Sequence, residues 1–281
     1  MEKVFKYSNK SIIFSIILVL ISLIISISIG AAEISIDEII GILLREFLGY
    51  HSNAEINNIN KIIVLEWRLP RFCLGFLVGA SLAIAGCGFQ GVFKNPLADP
   101  FLLGSAAGAG LGVTLVIVND LNYSFGIINS VQLGAFIGAL SAVICAAFIS
   151  ISAGKSIASL LLAGIATAAF LTACQTYLMH KYYSSMQEIY SWIIGRLLTS
   201  GWEDVITILP YFTVCFIIIF LFRKELDLLR LSEDEAKMLG GNPRRTYFIV
   251  LTAASLLTAV AVSLSGLIAF VGLVIPHILR L

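Results

Sequence analysis

The segment PRFCLGFLVGASLAIAGCGFQGV, residues 70–92, decides the fold class of this chain. After its single arginine, Arg71, it holds only apolar, small or uncharged side chains, without the alternation typical of a β-strand. About 20 such residues in a helix cross the hydrocarbon core of a bilayer. Only helices and closed barrels satisfy their backbone hydrogen bonds there, and continuous hydrophobicity favours the helix. The segment therefore predicts a membrane-spanning helix.

Seven further segments share this character. They cover approximately residues 11–31, 101–118, 130–152, 157–179, 205–222, 246–262 and 264–279. The chain is 59% hydrophobic and 12% charged, whereas soluble proteins carry about 25% charged residues. We therefore predict an all-α, polytopic membrane helix bundle of about eight transmembrane helices, in a single domain over 1–281. The segments 101–118 and 264–279 are short and glycine-rich, which suits helices that are partly re-entrant or shielded by neighbours.

The distribution of lysine and arginine predicts the orientation, because cytoplasmic loops carry an excess of both. If the N-terminus is cytoplasmic, 12 of the 18 cations fall on the inner side. The other six are Arg45, Lys61, Arg68, Arg71, Lys181 and Arg196. Both ends of the chain are therefore predicted to lie inside. The first segment follows three lysines, as in a signal peptide, but its length of about twenty residues favours a retained span.

Two segments of the outer side have helical patterns of their own. SIDEIIGILLREFLG, residues 35–49, places apolar residues at helical spacing after a capping pattern from Ser35 to Glu38. The stretch 182–202 is rich in aromatic residues. We predict an interfacial helix in each segment.

Glycines recur at four-residue spacing in the spans, a pattern that lets helices approach closely. They are Gly75 and Gly79, then Gly104, Gly108 and Gly112, then Gly134 and Gly138. This spacing predicts a tightly packed bundle rather than a lipid anchor.

Several residue patterns that would indicate a metal site, an ion-coupled carrier or a nucleotide site are missing from this sequence. The five cysteines are scattered, without a CxxC pair or a His/Cys cluster, which indicates core residues. No predicted span carries an ionisable Asp, Glu, Lys or Arg at its middle, which disfavours a proton- or metal-coupled carrier, although backbone sites can hold Na⁺. SAGKS, residues 152–156, ends like a phosphate-binding loop, but Ile149 stands where that loop needs a glycine. We predict no nucleotide, cofactor or metal site in this chain.

One compact polar segment, LSEDEAKMLGG at 231–241, interrupts the apolar sequence. Ser232 is a good helix N-cap, and Glu235 completes a capping box three residues later. Gly240 or Gly241 ends the helix, and Asn242 caps the next one. The pattern predicts a helix of about two turns on the cytoplasmic side. Spacing alone leaves open whether it is a solvated connector or a contact for a partner.

Two stretches resemble the FecCD family, the membrane subunits of ABC importers for ferric siderophores, haem and vitamin B12. They are RLPRFCLGFLVGASLAIAGCGFQGVFKNPLADPFLLGSAAGAGLG at 68–112, and LSEDEAKMLGGNPRR at 231–245 together with LSGLIAFVGLVIPHILRL at 264–281. The resemblance implies a homodimer or heterodimer of permease subunits in the cell membrane, with the substrate path at their interface. It also implies two cytoplasmic subunits that bind and hydrolyse ATP, and a substrate-binding protein outside. The chain itself is then not an enzyme.

The resemblance implies roles for three groups of residues. Arg68 and Arg71 match arginines that receive glutamates of the binding protein, although spacing alone would favour interfacial snorkelling cations. Gln90, Asn95, Pro96 and Asp99 match an inner turn, and Gly266, Gly272, Pro276 and His277 match an eighth-span pattern that also holds Phe270 and Arg280. These two sets are assigned structural and gating roles. Residues 223–245 match the cytoplasmic coupling loop, where Glu235, Ala236, Leu239 and Gly240 are expected to contact the ATPase.

The sequence departs from the family in its number of spans. Members of the family usually continue through two more spans, ten in all, whereas this sequence stops at Leu281. We therefore expect no substrate-dependent uptake from a complex reconstituted with these 281 residues. An ion-coupled or facilitative carrier and a non-transporting membrane scaffold are the alternatives. Co-purification of a partner ATPase would separate the importer from a carrier, and transport assays would separate it from a scaffold.

Overall fold

The computed structural model describes residues 9–49, 57–154, 156–195, 197, 201–231 and 233–279. The chain divides into two compact units. Unit 1 comprises Met1–Cys73 and Ser200–Trp202, and unit 2 comprises Leu74–Thr199 and Glu203–Leu281.

The described residues of unit 1 form three α-helices, a π-helical segment and the beginning of a fourth α-helix. They are α1 (Asn9–Ser28), α2 (Ile36–Leu48), α3 (Asn58–Ile62), a π-helical segment (Ile63–Arg68) and the first turn of α4 (Leu69–Phe93). Ser35 accepts a hydrogen bond from the Glu38 N–H at 3.3 Å and so caps α2, the amphipathic helix predicted from its spacing. The apolar face of α2 contributes Ile39 and Ile42 to a core with Ile27 of α1 and Val64.

In its described residues, unit 2 is a helix bundle with a short hairpin. Its elements are the rest of α4, α5 (Ser105–Val118), β1 (Ser124–Phe125), β2 (Ile128–Asn129), α6 (Ser130–Ser152), α7 (Ile157–Lys181), a 3₁₀ turn (Tyr183–Ser185), α8 (Met186–Ile193), α9 (Trp202–Leu221, whose first residue belongs to unit 1), α10 (Arg223–Leu228), α11 (Glu233–Met238), α12 (Pro243–Ser265) and α13 (Val271–Ile278). β1 and β2 pair antiparallel. Where one interfacial helix was predicted over 182–202, residues 183–193 form the 3₁₀ turn and the short α8.

Most of the predicted spans coincide with helices. Within the described residues, five helical stretches are long and apolar enough to cross a membrane, namely 58–93, α6, α7, α9 and α12. The apolar part of α1 and the fourteen-residue α5 are shorter. The bounds of α6 are those predicted, 130–152, whereas residues 101–104 form turns before α5. The chain is therefore a helical membrane bundle.

The predicted eighth span, 264–279, is wrong as a single helix. α12 continues to Ser265, Gly266 then adopts φ 71°, and a non-helical stretch leads to the eight-residue α13. At 1.5 Å per residue α13 is about 12 Å long, far short of the roughly 30 Å of a hydrocarbon core. Hydropathy detects the apolar character of this region but not the left-handed glycine that interrupts it.

Glycines set the close packing of α5 against α6. A Cβ at Gly108 would clash with the carbonyl oxygen of Gly138, and one at Gly112 would clash with that of Gly134. The predicted close approach at four-residue spacing is thus confirmed for these two helices. α5, α6 and α12 also share a core of small and β-branched side chains: Ala109, Val113, Ala135, Ala139, Ala259 and Val262.

Candidate functional site

The polar segment between α9 and α12 folds into two short helices, α10 and α11. The Gly240 N–H donates to the Lys237 carbonyl oxygen, and the Gly241 N–H to that of Ala236, both at 2.9 Å. With Gly240 at φ 81°, these bonds form a Schellman motif that ends α11. Asn242 then caps α12, as predicted, by accepting a bond from the Arg245 N–H at 3.1 Å. Ser232, the predicted N-cap of α11, lies outside the described residues.

The residues predicted to meet an ATPase do not share one surface. Leu239 is 65% exposed and its neighbour Met238 is 86% exposed, and Glu235 and Gly240 are exposed as well. Ala236 is only 1% exposed. Its four-residue spacing from Gly240 does not place the two on one helical face, because Gly240 follows the end of the helix in a left-handed conformation. Ala236 is thus covered by the chain itself, whereas the exposed residues of α11 and of the position after it are Asp234, Glu235, Lys237, Met238 and Leu239.

The two arginines predicted to dock a binding protein differ in their surroundings. Arg68 is half-buried, and its guanidinium donates to the carbonyl oxygens of Ile27 at 2.6 Å, Ser28 at 3.3 Å and Ala32. It thereby satisfies carbonyl groups at and after the C-terminal end of α1, where a cation is favourable. Arg71 is exposed. Both line a cavity of about 350 Å³ within unit 1. Of the two, Arg71 is the one whose charge faces outward.

The predicted inner turn joins α4 to α5 and is held by its own polar side chains. Asn95 accepts a hydrogen bond from the Leu97 N–H at 2.9 Å, and Asp99 accepts one from the Phe101 N–H at 2.8 Å. Burial raises the pKa of the Asp99 carboxyl, and the bond from Phe101 partly opposes this effect. Pro96 is exposed at the tip of the turn. These bonds satisfy backbone groups that no helix pairs.

Gln90 and the predicted gate residues come together where α13 packs on α4. The Gln90 side-chain amide donates to the Leu273 carbonyl oxygen at 3.2 Å. Gly272 fits this contact because a Cβ there would lie 2.6 Å from Pro100 Cγ. The two sequence stretches at 68–112 and 264–281, which are distant in the chain, thus pack together here.

The remaining gate candidates lie at both ends of α13. Gly266 precedes it, next to α8: a Cβ there would lie 2.6 Å from the Trp192 carbonyl oxygen. Pro276 is buried and His277 is exposed within α13. Arg280 lies outside the described residues. The gating role of these residues stays a prediction.

Sequence reasoning also missed two further features. Asp204, only 2% exposed, accepts a hydrogen bond at 2.8 Å from the Gln132 side-chain amide and so links α9 to α6. In the described part of the chain, the non-glycine residues Lys94, Asp120 and Phe270 adopt positive φ angles. The position of Asp204 in the first turn of an apolar helix was a signal for its link to Gln132. No residue pattern indicates the positive φ angles.

Comparison with known proteins identifies the family of this chain. The FecCD transport family matches residues 18–281. The chain belongs to the FecCD transport family. Over 263 residues it is 35% identical to YvrB, an uncharacterised ABC transporter permease of Bacillus subtilis, with 93% of this chain and 74% of that protein covered. It is 36% identical to YfmE, a permease of the Fe(3+)-citrate import system of the same organism, with coverage of 96% and 77%.

A solved structure agrees with this assignment. A chain of an inward-facing transporter, described as a proposed ABC transporter of the metal-chelate type, matches with a TM-score of 0.81 and 27% identity. The match covers 97% of this chain and 81% of that one. The predicted helical membrane bundle and the predicted kinship to ABC importer permeases are confirmed.

Proposed function

We propose that this FecCD-family chain is the transmembrane subunit of a binding-protein-dependent importer for a ferric chelate. The agreement of two comparisons carries the proposal, since YfmE is named for Fe(3+)-citrate import and the matching structure for a metal-chelate type transporter. The chain binds no cofactor of its own in this proposal. Haem and corrinoids, the other substrates implied by the family, are alternative outcomes of the same uptake test.

The partners follow from the same proposal. A second permease subunit completes the translocation path in the cell membrane, and two cytoplasmic ATPases hydrolyse ATP. The surface of α11 supports an ATPase contact, because Met238 and Leu239 expose apolar side chains in an otherwise polar segment. Exposed apolar residues that lie next to each other, as these two do, mark a protein contact more often than isolated ones do.

A substrate-binding protein docks on the opposite side of the membrane in this proposal. The exposed Arg71 offers a cation to a carboxylate of that protein, whereas the guanidinium of Arg68 is engaged with the end of α1. Arg71 therefore carries the docking role, and Arg68 positions the segment that presents it.

Uptake of radiolabelled ferric citrate tests the proposed function. The whole permease gene is expressed with its neighbouring ATPase and binding-protein genes in cells that lack their own ferric-chelate importer. The 281-residue chain is a separate arm, for which no uptake is expected. With the whole gene we expect uptake that is lost when the ATPase is inactivated in its phosphate-binding loop. Uptake that persists without ATPase activity would instead establish a carrier. Uptake of haem or cobalamin in place of ferric citrate would reassign the substrate.

A single substitution tests the coupling surface separately. Leu239→Glu places a charge on the exposed face of α11, where it should weaken ATPase co-purification without unfolding the permease. Lys224→Gln, an exposed change on α10, serves as the control. Unchanged co-purification of the ATPase with the Leu239→Glu variant would remove α11 from the interface.

A further inference from the structure

A cavity of about 1000 Å³ lies at the end of unit 2 where α4 ends and α7 and α12 begin. Among its lining residues in the described part of the chain, three are cationic, Lys94, Lys237 and Arg244, and none is acidic. The neighbouring segment 225–235 is nevertheless rich in acids. An excess of cations is expected for cytoplasmic loops in general. The charged residues among those that line the cavity are thus all cations, although acids lie close by in the sequence.

Lys94 is held toward this cavity in a strained conformation. It follows the last residue of α4 with φ 51°, and the bonds from the Lys94 N–H to Gly91 and from the Asn95 N–H to Gln90 form a Schellman motif. Glycine usually occupies this position, because a side chain is unfavourable at a positive φ. Strain of this kind, at a non-glycine residue, points to a function for its side chain.

The ammonium of Lys94 also has capacity for a ligand. Its Nζ donates to the Leu231 carbonyl oxygen at 3.0 Å, which draws it toward the segment before α11. An ammonium has three N–H donors, so this bond leaves two for an anion.

The other two cations come from separate elements. Arg244 is the second residue of α12, and its guanidinium offers five donors in the planar arrangement that suits phosphate. Lys237, in the last turn of α11, also faces Asp234 at 3.7 Å. The first turns of α7 and α12 line the same cavity, and their N-terminal N–H groups add to its positive potential.

Much of the rest of the wall is apolar or amphipathic, and Ser156 and Asn242 add polar groups to it. Ile157, Leu229 and Tyr247 line the cavity beside the cations. Three helical stretches that are long and apolar enough to cross a membrane have an end here: 58–93, α7 and α12. A ligand with one anionic end and one apolar end therefore fits this lining. Basic pockets between transmembrane helices are a known mode of binding lipid headgroups.

We propose that this cavity binds an anionic membrane phospholipid, with the headgroup phosphate held by Lys94, Lys237 and Arg244. The glycerol and upper acyl region then lie along Ile157 and Leu229. The site lies next to Ala236 of α11, so the bound lipid contacts the segment proposed to meet the ATPase.

Native mass spectrometry of the purified full-length protein tests this site with two lipids, phosphatidylglycerol and phosphatidylcholine. We expect preferential retention of phosphatidylglycerol, and a loss of affinity of about five-fold for each cation removed. Lys94→Gly is a favourable variant, because it deletes the ammonium and also relieves the backbone strain. Arg244→Gln is the second variant, and Lys224→Gln, an exposed cation outside the cavity lining, is the matched control.

Several outcomes would overturn the proposal. These are equal retention of the two lipids, equal losses in Lys224→Gln and Lys94→Gly, and binding of inorganic phosphate that displaces phosphatidylglycerol. The same holds if the cavity variants weaken ATPase co-purification while phosphatidylglycerol retention stays unchanged, because the cavity would then be a protein contact. A five-fold or larger loss confined to Lys94→Gly and Arg244→Gln would support the lipid site.

Discussion

Arg68 packs directly over Gly30: a Cβ at Gly30 would lie 2.6 Å from the Arg68 Nη2 atom. The missing side chain lets the guanidinium reach the carbonyl oxygens of Ile27, Ser28 and Ala32 at the end of α1. The arginine that family resemblance assigns to docking is thus a cap within its own chain.

This contact predicts a stability defect in Arg68→Ala. Removing the guanidinium leaves half-buried carbonyl groups without their charged donor, which should cost about 2 kcal/mol. Gly30→Ala should also destabilise the protein, because its methyl group displaces the guanidinium. Thermal unfolding in detergent measures both, with Arg71→Ala as the control that should leave the melting temperature nearly unchanged. An equal loss in the control would show that charge, rather than capping, sets stability here.

Arg71→Ala should instead weaken docking of the substrate-binding protein. An exposed ion pair contributes up to about 1 kcal/mol, so the affinity should fall by up to about five-fold, and more so at low salt. Surface plasmon resonance with the protein in nanodiscs measures this change at two ionic strengths. A loss that is independent of salt would argue against an ion pair at Arg71.

The glycine contacts of α5 predict a strong dependence on side-chain size. Gly112→Ala places a methyl group against the Gly134 carbonyl oxygen and should destabilise the bundle by about 1–3 kcal/mol. Gly79 is the matched control, because a Cβ there meets no atom within 4 Å. Gly79→Ala should be neutral or slightly stabilising, since alanine lowers the entropy of the unfolded chain. Similar melting temperatures for the two variants would contradict the close packing of α5 and α6.

The Schellman motif after α11 predicts how Gly240 can be replaced. Its φ of 81° costs a side chain about 1 kcal/mol, although a Cβ there meets no atom within 4 Å. Gly240→Ala should therefore speed hydrogen exchange of the Gly241 amide about five-fold. Gly240→Asn should exchange more slowly than the alanine variant, because asparagine tolerates this conformation. Identical exchange in the two variants would contradict a cost that arises from the positive φ at residue 240.

The sequence predicts those features that depend on composition and local chemistry. Hydropathy located α6 at its observed bounds, and residue type located the caps at Ser35 and Asn242. The break at Gly266 was missed because an apolar run does not reveal a positive φ. The cap formed by Arg68 was missed because its partners lie about forty residues earlier in the chain, and only the folded unit 1 brings them together.

The pKa of Asp99 predicts a pH dependence of stability with a definite sign. Burial raises the pKa of Asp99 in the native state above its ordinary value of 3.8. Between the ordinary pKa and the raised pKa, the native state therefore holds more protons than the unfolded state. The free energy of unfolding that Asp99 contributes should therefore fall as pH rises through this window. Asp99→Asn keeps the acceptor for the Phe101 N–H but cannot ionise. Melting temperatures measured from acidic to neutral pH should accordingly show the wild type losing stability relative to Asp99→Asn. A wild type that instead gains stability relative to this variant as pH rises would mean that the hydrogen bond to the ionised carboxylate outweighs its desolvation.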